Sequence, residues 1–414
     1  PERGEDPYPA DDPLLLDKLA NDAPIVNLVN SICIEAIRRR ASDIHLEAGA
    51  DAARVRCRID GVLQTVRTLD PRRFPAVSSR IKIMANLNIL ERRQPQDGRI
   101  TVSTGNEQAD LRVSIVPTHS ALGGGESIVL RILGRKAAAS SLTDLGFPPD
   151  QLAGLRKLLA MPHGLILMTG PTGSGKTTTL NAMLNELVSD EVKIISIEDP
   201  VEFTVSGVSQ IQTNERIGLG FESLLRRVLR QDPNVIMIGE IRDSPTAEIA
   251  LRAALTGHLV LSTLHTNSTA QAIPRLVNMG VEPYLITPVL RGVMAQRLVR
   301  KICPRCKEEA PASAEERRLL ERAGLGGAAL FRGAGCADCN HTGFQGRTLI
   351  AETFISDSGL EDLILGREKA AVLERYLKGL GMRSLLDEGL RKAAAGLTTV
   401  AEVTRETLIS GEDA

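Results

Sequence analysis

The stretch GLILMTGPTGSGKTTT, residues 164–179, decides the fold class of this 414-residue chain. Its first residues form a short apolar run, its glycine-rich turn matches the pattern G-x-x-x-x-G-K-[ST], and the helix-forming run TLNAMLNELV follows directly. A phosphate-binding loop, or P-loop, needs a strand before it and a helix after it, and both are present. Glycines let backbone amides turn onto phosphate oxygens, and the helix N-terminus adds its positive end. The stretch therefore predicts a nucleotide site in an α/β domain.

Within this loop, the expected nucleotide ligand is ATP with Mg²⁺. We expect Lys176 to reach the β- and γ-phosphates and Thr177 to place its hydroxyl on Mg²⁺. A glycine-rich loop that only connects a strand to a helix is the alternative, and it leaves the Lys and Thr at these positions unexplained. The predicted nucleotide-binding residues are Gly170, Pro171, Thr172, Gly173, Ser174, Gly175, Lys176, Thr177 and Thr178.

Downstream of the P-loop, three more short apolar runs alternate with helical segments: KIISIED, NVIMIGE and HLVLSTLH. Buried parallel strands give this pattern, and their chemistry gathers at the carboxyl ends. NVIMIGE delivers Glu240, which we expect beside Mg²⁺. KIISIED delivers Glu198 and Asp199, with Glu202 close behind, and one of these carboxylates would orient the attacking water. A solvated loop carboxylate is the alternative for each, most of all for Glu202.

Two histidines bracket the run HLVLSTLH. An extended strand separates His258 from His265 by roughly 23 Å, so the two cannot share a metal ion. His265 lies at the carboxyl end, where it would sense the γ-phosphate if this strand neighbours the P-loop. For His258 we favour a structural position at a helix end or an interface.

Upstream, residues 24–134 predict a smaller α+β domain. A helix with apolar residues at helical spacing begins at Pro24, and RVRCRIDGVLQTV alternates around the turn signal Asp60-Gly61, as a β-hairpin does. Arg112 and Arg131 lie on later strand-like segments and are candidates to meet the γ-phosphate charge; as solvated strand residues they would have no such role. Residues 1–23 are expected to be a linker left after an upstream domain, and residues 135–148 a linker between domains.

Four of the six cysteines form two Cys-x-x-Cys pairs separated by 29 residues, and this spacing predicts a Cys₄ zinc site within residues 301–347. The ligands would be Cys303, Cys306, Cys336 and Cys339. A redox pair is the rival interpretation, although neither pair follows a strand-to-helix turn that would activate a thiolate. Residues 149–300 would form the ATPase core, and residues 348–414 a C-terminal helical region.

Composition limits the partners. The net charge of −1 gives no general reason to expect nucleic acid as a partner, and no apolar run approaches the roughly 20 residues of a membrane helix. We therefore expect a cytoplasmic protein that reaches a membrane only through protein partners.

Taken together, the motifs resemble the traffic ATPases that power type II secretion and type IV pilus assembly. The resemblance spans about residues 14–408 and rests on several motifs that occur in one order. They are ASDIHLE, RIDGVL, QDGRI, DLRVS, GPTGSGKTTT, SIEDPVEF, LRQDPNVIMIGEIRD, LTGHLVLSTLHTN, AQRLVR, CPRCK and GCADCNHTGFQGR.

This resemblance implies a RecA-like core preceded by a smaller, PAS-like domain, in a ring of six subunits. It places Glu198 in an aspartate box, Glu240 in a Walker B element, and both histidines in a histidine box. It also implies that the smaller domain swings Arg112 and Arg131 onto the nucleotide. The location it implies is peripheral, at the cytoplasmic face of the inner membrane, on secretion platform proteins.

Two departures from the family pattern stand out: LGGGES puts Ser127 where an arginine is usual, and GRTLIAE replaces a GRTGIYE-like stretch. Among functions, the resemblance favours the type II secretion ATPase. The alternatives are a pilus-extension or DNA-uptake ATPase, a nucleotide-gated scaffold with little turnover and, less favoured, a P-loop phosphotransferase.

Overall fold

The computed structural model describes residues 18–49, 51–104, 107–120, 123–133 and 141–407. The chain divides into two compact units, Pro1–Lys136 and Ala137–Ala414. Their border falls within the predicted interdomain linker. Most of the predicted N-terminal linker, and the first part of the interdomain linker, lie outside the described residues.

The N-terminal unit is an antiparallel sheet with two helices packed on it. Its strands follow the order β3-β2-β1-β6-β5-β4, and every neighbouring pair is antiparallel. The elements are α1 (Ala23–Arg38), β1 (Ala41–Glu47), β2 (Ala53–Ile59), β3 (Val62–Leu69), α2 (Phe74–Met84), β4 (Gln96–Thr104), β5 (Glu107–Ser120) and β6 (Gly123–Leu133).

Local sequence accounts for the first elements of this unit. In α1 the buried residues Ile25, Val29 and Ile32 recur at helical spacing and face the sheet. Strand β2 alternates buried and more exposed residues, and Asp60 and Gly61 both have positive φ, 48° and 86°. Such a pair forms the tight turn that suits the twist of two antiparallel strands, so the predicted hairpin is confirmed.

The C-terminal unit is built on a seven-stranded sheet in the order β15-β12-β7-β11-β10-β8-β9. Six adjacent strands run parallel, and β15 is antiparallel to β12. The strands are β7 (Gly164–Thr169), β8 (Ile194–Glu198), β9 (Val208–Gln212), β10 (Val235–Ile238), β11 (Leu259–Leu264), β12 (Leu290–Ile302) and β15 (Phe344–Ile355). The short pair β13 (Lys307–Ala310) and β14 (Leu330–Gly333) stands apart from this sheet.

Helices cover both faces of the large sheet. Along β7 the side chains alternate between two hydrophobic clusters: Leu165 and Leu167 lie in one, and Ile166 and Met168 in the other. Burial on both faces explains why these strands are continuous apolar runs, and the predicted α/β class is confirmed. The helices are α3 (Pro149–Leu159), α4 (Lys176–Leu187), α5 (Phe221–Val228), α6 (Ser244–Leu255), α7 (Thr269–Asn278), α8 (Pro283–Ile286), α9 (Ala314–Arg322), α10 (Ser358–Leu365), α11 (Ala370–Gly379), α12 (Leu385–Ala394) and α13 (Val400–Thr407).

One boundary differs from the prediction. The C-terminal helices begin at Ser358, because the segment before them, β15, is an edge strand of the large sheet. Its residues Leu349 and Ile350 are buried. The sequence did not predict this strand because it follows the polar cysteine module and is separated from the other strands of the sheet. Within the described ranges, no helix combines the length and the apolarity that crossing a bilayer requires.

Candidate functional site

Strand order brings the predicted site residues to one edge of the large sheet. Strand β11 lies between β7 and β10, with Leu264 opposite Thr169 and Ser262 opposite Ile238. Because neighbouring parallel strands end together, the segments that follow them emerge side by side. Those segments contain the P-loop after β7, His265 after β11 and Glu240 after β10.

The P-loop conformation depends on glycine at both ends. Gly170 has φ 147° and Gly175 has φ 89°, a region that side-chain-bearing residues rarely adopt. A Cβ on Gly170 would lie 2.6 Å from the Gln296 carbonyl oxygen and 2.7 Å from Ser174 Oγ. The loop is therefore packed tightly against strand β12, and α4 starts immediately after it at Lys176.

Lys176 is a buried cation that hydrogen-bonds backbone carbonyls. Its Nζ donates to the carbonyl oxygens of Gly170 at 2.6 Å and Pro171 at 3.0 Å, and the residue is only 9% exposed. Burial lowers the pKa of Lys176 to about 8, while Glu240 acts to raise this pKa and Arg297 to lower it. Within the described ranges no carboxylate pairs with this ammonium group, so a bound phosphate would supply the missing negative charge.

Glu240 and His265, both predicted from strand ends, are in direct contact. His265 Nε2 lies 3.0 Å from Glu240 Oε2, and Arg242 donates to Glu240 Oε1. Burial acts to raise the pKa of Glu240, but hydrogen bonds and charge from Arg242 and His265 outweigh it, so the pKa is lowered. Glu240 is thus held as a carboxylate. Arg242 was missed by the sequence reasoning; its signal was an arginine two residues after the predicted Mg²⁺ ligand.

The carboxylate at the end of β8, Glu198, belongs to a separate hydrogen-bond network. Glu198 is 3% exposed, and its Oε1 accepts from Ser196 Oγ at 2.6 Å and from Gln210 Nε2 at 2.9 Å. Asp199 instead lies 3.4 Å from Arg242, which links this strand end to Glu240. The exposed Glu202 lies beyond both. Glu198 remains the candidate water-orienting group of this end by prediction only.

His258 lies at the opposite end of β11 from His265. Its Nδ1 is 2.9 Å from the Ala253 carbonyl oxygen, at the C-terminal end of α6. This placement agrees with the structural position at a helix end that we favoured, and it separates the two histidines by a whole strand.

Strand β12 contributes residues that the sequence reasoning did not select. Its pairing with β7 ends at Ala295 opposite Thr169, so the next residues run alongside the P-loop. Gln296 is 1% exposed; its Nε2 donates to the Ser174 carbonyl at 2.8 Å and its Oε1 accepts from Thr179 Oγ1 at 2.9 Å. The adjacent polar residues Gln296 and Arg297, which follow the apolar run VMA within this strand, were the available signal.

In the N-terminal unit, the predicted arginines face each other on adjacent strands. Arg112 of β5 is directly opposite Arg131 of β6, and Arg131 Nε donates to Asp43 Oδ1 at 3.1 Å. Together with Arg99 they line a cavity of about 520 Å³. Directly opposed like charges are unfavourable, so this face is suited to an anion. Ser127 is opposite Val116, further along the same pair of strands.

The four predicted cysteine ligands form one cluster. Their Sγ atoms all lie within 4.8 Å of one another, with Cys303–Cys336 and Cys306–Cys339 at 3.9 Å and Cys336–Cys339 at 3.7 Å. A tetrahedron of Zn–S bonds of about 2.3 Å has S–S edges of about 3.8 Å, so the cluster has the size of a zinc site. The predicted tetracysteine cluster is confirmed.

Backbone amides around the cluster favour thiolates. Cys339 Sγ accepts from the amides of Cys336 at 3.2 Å and Gly343 at 3.3 Å, and Cys306 Sγ accepts from the amide of Gly335 at 3.3 Å. Burial acts to raise the pKa of Cys339, yet these amides and the neighbouring cysteines lower it to about 6. A metal-binding thiolate set explains all four residues, whereas a single redox pair would explain two.

Comparison with known proteins bears on the same features. The family described as "Type II/IV secretion system protein" matches residues 18–405. The chain belongs to this family. Among curated relatives, the type II secretion system ATPase E of Vibrio cholerae is 45% identical over 94% of this chain and 76% of its own length. The type IV pilus assembly ATPase PilB of Myxococcus xanthus is 47% identical over 94% of this chain and 69% of its own length.

A solved structure extends the likeness to the fold. The crystal structure of the pilus retraction motor PilT with bound ADP has a TM-score of 0.60 and 27% identity, and the match covers 91% of this chain and 96% of that one. As a member of the type II/IV secretion family, the chain is an ATPase, and the family implies ATP and Mg²⁺ as its ligands. The family membership that the sequence motifs predicted is therefore confirmed.

Proposed function

We propose that this ATPase powers a type II secretion system as a homo-hexamer that docks, at the cytoplasmic face of the inner membrane, on platform proteins. The likeness to the Vibrio cholerae secretion ATPase supports the choice of system. One observation carries the chemistry: adjacent parallel strand ends bring the P-loop lysine and the Glu240–His265 pair to one edge of the sheet. A P-loop with an ionised carboxylate beside it is arranged to bind and cleave a nucleoside triphosphate.

Each residue at this edge of the sheet has a different role in the proposed reaction. Lys176 neutralises the β- and γ-phosphates, and the low exposure of the lysine strengthens that interaction. Thr177 and Glu240 hold Mg²⁺, which supplies charge neutralisation on the phosphates when it is bound. His265 senses the γ-phosphate through its contact with Glu240. Glu198 orients the attacking water, since its Oε2 accepts no hydrogen bond from any residue in the described ranges.

The smaller domain couples hydrolysis to movement. Arg112 and Arg131 stand opposite each other, with Asp43 as the carboxylate that Arg131 contacts. Their closing on the γ-phosphate would make contacts in the ATP state that the ADP state lacks, which is the condition for a ligand to shift a domain equilibrium. The domain division at residues 24–134, 149–300 and 301–347, with C-terminal helices from Ser358, is part of this proposal, as is the PAS-like character of the smaller domain.

The tetracysteine cluster holds Zn²⁺ in this proposal. Four sulfurs at tetrahedral spacing, with amides directed at two of them, fit that ion. Its role would be structural: it ties the ends of the 301–347 module, which is too small and polar to close on a core of its own.

The decisive experiment measures ATP hydrolysis and oligomer mass over one concentration series. We expect specific activity to rise as hexamers form, and Glu240→Gln to abolish hydrolysis while the exposed Glu202→Gln retains it. Flat activity from a monomer would refute the ring. Wild-type turnover in Glu240→Gln would refute the site, whereas negligible turnover of the wild-type hexamer would leave the nucleotide-gated scaffold as the better description.

Pilus extension is the second candidate, because the identity to the pilus assembly ATPase PilB, 47%, is as high as that to the secretion ATPase. The two functions differ in the platform protein that binds. Pull-down from the source cells with the purified hexamer, followed by identification of the membrane protein retained, separates them: a pilus platform would overturn the secretion assignment.

A further inference from the structure

Arg297 is a buried arginine beside the P-loop that nothing above assigns to the reaction. It lies on β12, two residues beyond the last pairing with β7, and is 5% exposed. The position where a Cβ would stand on Gly170 is 3.2 Å from Arg297 Nη1. The guanidinium group therefore packs against the first residue of the P-loop.

Its hydrogen bonds reach the loop that follows β11. Arg297 Nη2 donates to the Asn267 carbonyl at 3.1 Å and lies 3.4 Å from Asn267 Oδ1, while Nη1 donates to the Gln296 carbonyl at 3.1 Å. Asn267 is two residues after His265. One planar group thus packs against the start of the P-loop and hydrogen-bonds both strand β12 and the segment of residues 265–268, which we name the histidine segment.

A second tie holds the same two segments. Thr169, the last residue of β7, accepts from the Thr266 amide at 2.8 Å, and the two threonine hydroxyl oxygens are 2.7 Å apart. The histidine segment is therefore fixed to the root of the P-loop at Thr266 and again at Asn267. His265, next to both points, has little freedom to move independently of the P-loop.

The charge of Arg297 is unusual for so buried a group. Burial lowers its pKa, and no described carboxylate lies within ion-pair distance of it. A buried charge is costly when it has no counter-ion, so a neutral side chain would serve better if the position only filled space. Arg297 and Lys176 flank Gly170 as two cations at a site for an anion.

We propose that Arg297 is a positioning residue for ATP hydrolysis: it ties the histidine segment to the P-loop, so that His265 and Glu240 keep their place relative to the phosphates. This inference rests on the hydrolysis proposed above. It requires the forked guanidinium, because an ammonium lacks the planar fork that reaches the Gln296 and Asn267 carbonyls while it packs against Gly170.

The test compares Arg297→Lys with Arg291→Lys. Arg291 is the matched control: it lies on the same strand at the other end of β7 and donates to the His163 carbonyl at 3.2 Å. We expect Arg297→Lys to lower kcat about tenfold or more with the ADP dissociation constant changed less than about threefold, and Arg291→Lys to change neither. Wild-type kcat in Arg297→Lys, or equal losses in kcat and ADP affinity, would overturn the inference.

A double substitution distinguishes positioning from a general packing defect. If Arg297 acts through the histidine segment, Arg297→Lys should cost little more in a His265→Gln background, because the group it positions is already gone. Multiplicative losses in the double variant would contradict this. If Arg297→Lys does not fold, Arg297→Gln takes its place, with a loss of about tenfold in kcat expected at unchanged ADP affinity; an unchanged kcat would overturn the inference.

The outcomes separate this inference from the proposed function. A wild-type chain without ATP hydrolysis at any concentration would refute the proposed function itself. Hydrolysis in wild type that survives Arg297→Lys would refute only the role of Arg297.

Discussion

Lys82 and Lys176, two of the three buried lysines in the described ranges, differ in what neutralises their charge. Lys82 is 1% exposed and lies 2.5 Å from Glu126 Oε1, and Ser78 donates to the other carboxylate oxygen at 2.5 Å. Lys176 is 9% exposed and donates only to backbone carbonyls. The first charge is neutralised inside the fold, whereas the second has no carboxylate partner in the described ranges. Lys392 is 7% exposed, donates to the Gly146 carbonyl at 2.6 Å and also lacks such a partner, so the P-loop position, and not the missing partner alone, distinguishes Lys176.

The largest expected effect is on stability in the paired case. Lys82→Ala leaves Glu126 buried without its counter-ion, so we expect the free energy of unfolding to fall by about 3–5 kcal/mol, measured by urea denaturation with circular dichroism. The double variant Lys82→Met/Glu126→Leu removes both charges and should recover most of the loss. A loss below about 1 kcal/mol in Lys82→Ala would mean that the pair is hydrated in solution.

Lys176→Ala should give the reverse result. We expect kcat to fall at least about a hundredfold, because the charge facing the phosphates is lost, while the free energy of unfolding stays unchanged or rises. Steady-state hydrolysis and urea denaturation of the same preparation check both halves. Lys157→Ala, on the exposed side of α3, is the control and should change neither. Retained hydrolysis in Lys176→Ala would show that the P-loop assignment is wrong.

The pH dependence of nucleotide binding sharpens the comparison further. The Lys176 pKa is about 8, so the ammonium group loses its proton as the pH rises from 7 to 9, and we expect ADP affinity to weaken by about tenfold. Its effect on stability has the opposite sign: the unfolded lysine holds its proton up to about pH 10.5, so this group's contribution to the free energy of unfolding increases above pH 8.

Calorimetric titration of ADP at several pH values measures this dependence. Lys176→Arg is the control, because arginine stays protonated throughout the range and should give a flat profile. A flat profile in wild type as well would mean that the lysine keeps its proton in the free protein.

The smallest effect separates the two histidines that bracket β11. His265→Gln removes the contact to Glu240 and should lower kcat about tenfold. His258→Gln should stay within about twofold of wild type, since the imidazole contacts a helix-end carbonyl and a nearby threonine hydroxyl, away from the P-loop edge of the sheet. Equal losses in the two variants would show that β11 acts as a unit, without a distinct role for its carboxyl end.

Prediction from sequence worked where a local pattern carries the information. The P-loop depends on glycines at fixed offsets, and the Asp60-Gly61 turn depends on two residues that tolerate positive φ. The cysteine cluster follows from two pairs with the spacing of metal ligands. Each of these features is encoded within a few consecutive residues or by one rare residue type.

Prediction failed where a partner comes from a distant part of the chain. Gln296 and Arg297 belong to a strand about 120 residues after the P-loop, and only the pairing of β12 with β7 brings them beside it. Strand β15 was not predicted because it pairs with β12 across the intervening cysteine module, and the sequence gives no local sign of that pairing. Arg242 was overlooked because its partners, Glu240 and Asp199, follow different strands.

The sequence by itself determined the fold class, the P-loop and the tetracysteine cluster, because hydrophobic periodicity and residue chemistry act locally. Tertiary structure alone decided which charges meet. Strand order placed His265 against Glu240, brought no described carboxylate into an ion pair with Lys176 and placed Arg297 beside both Gly170 and Asn267. The physical reason is that hydrogen bonds and charges act over a few ångströms, and only the folded sheet brings those residues within such distances.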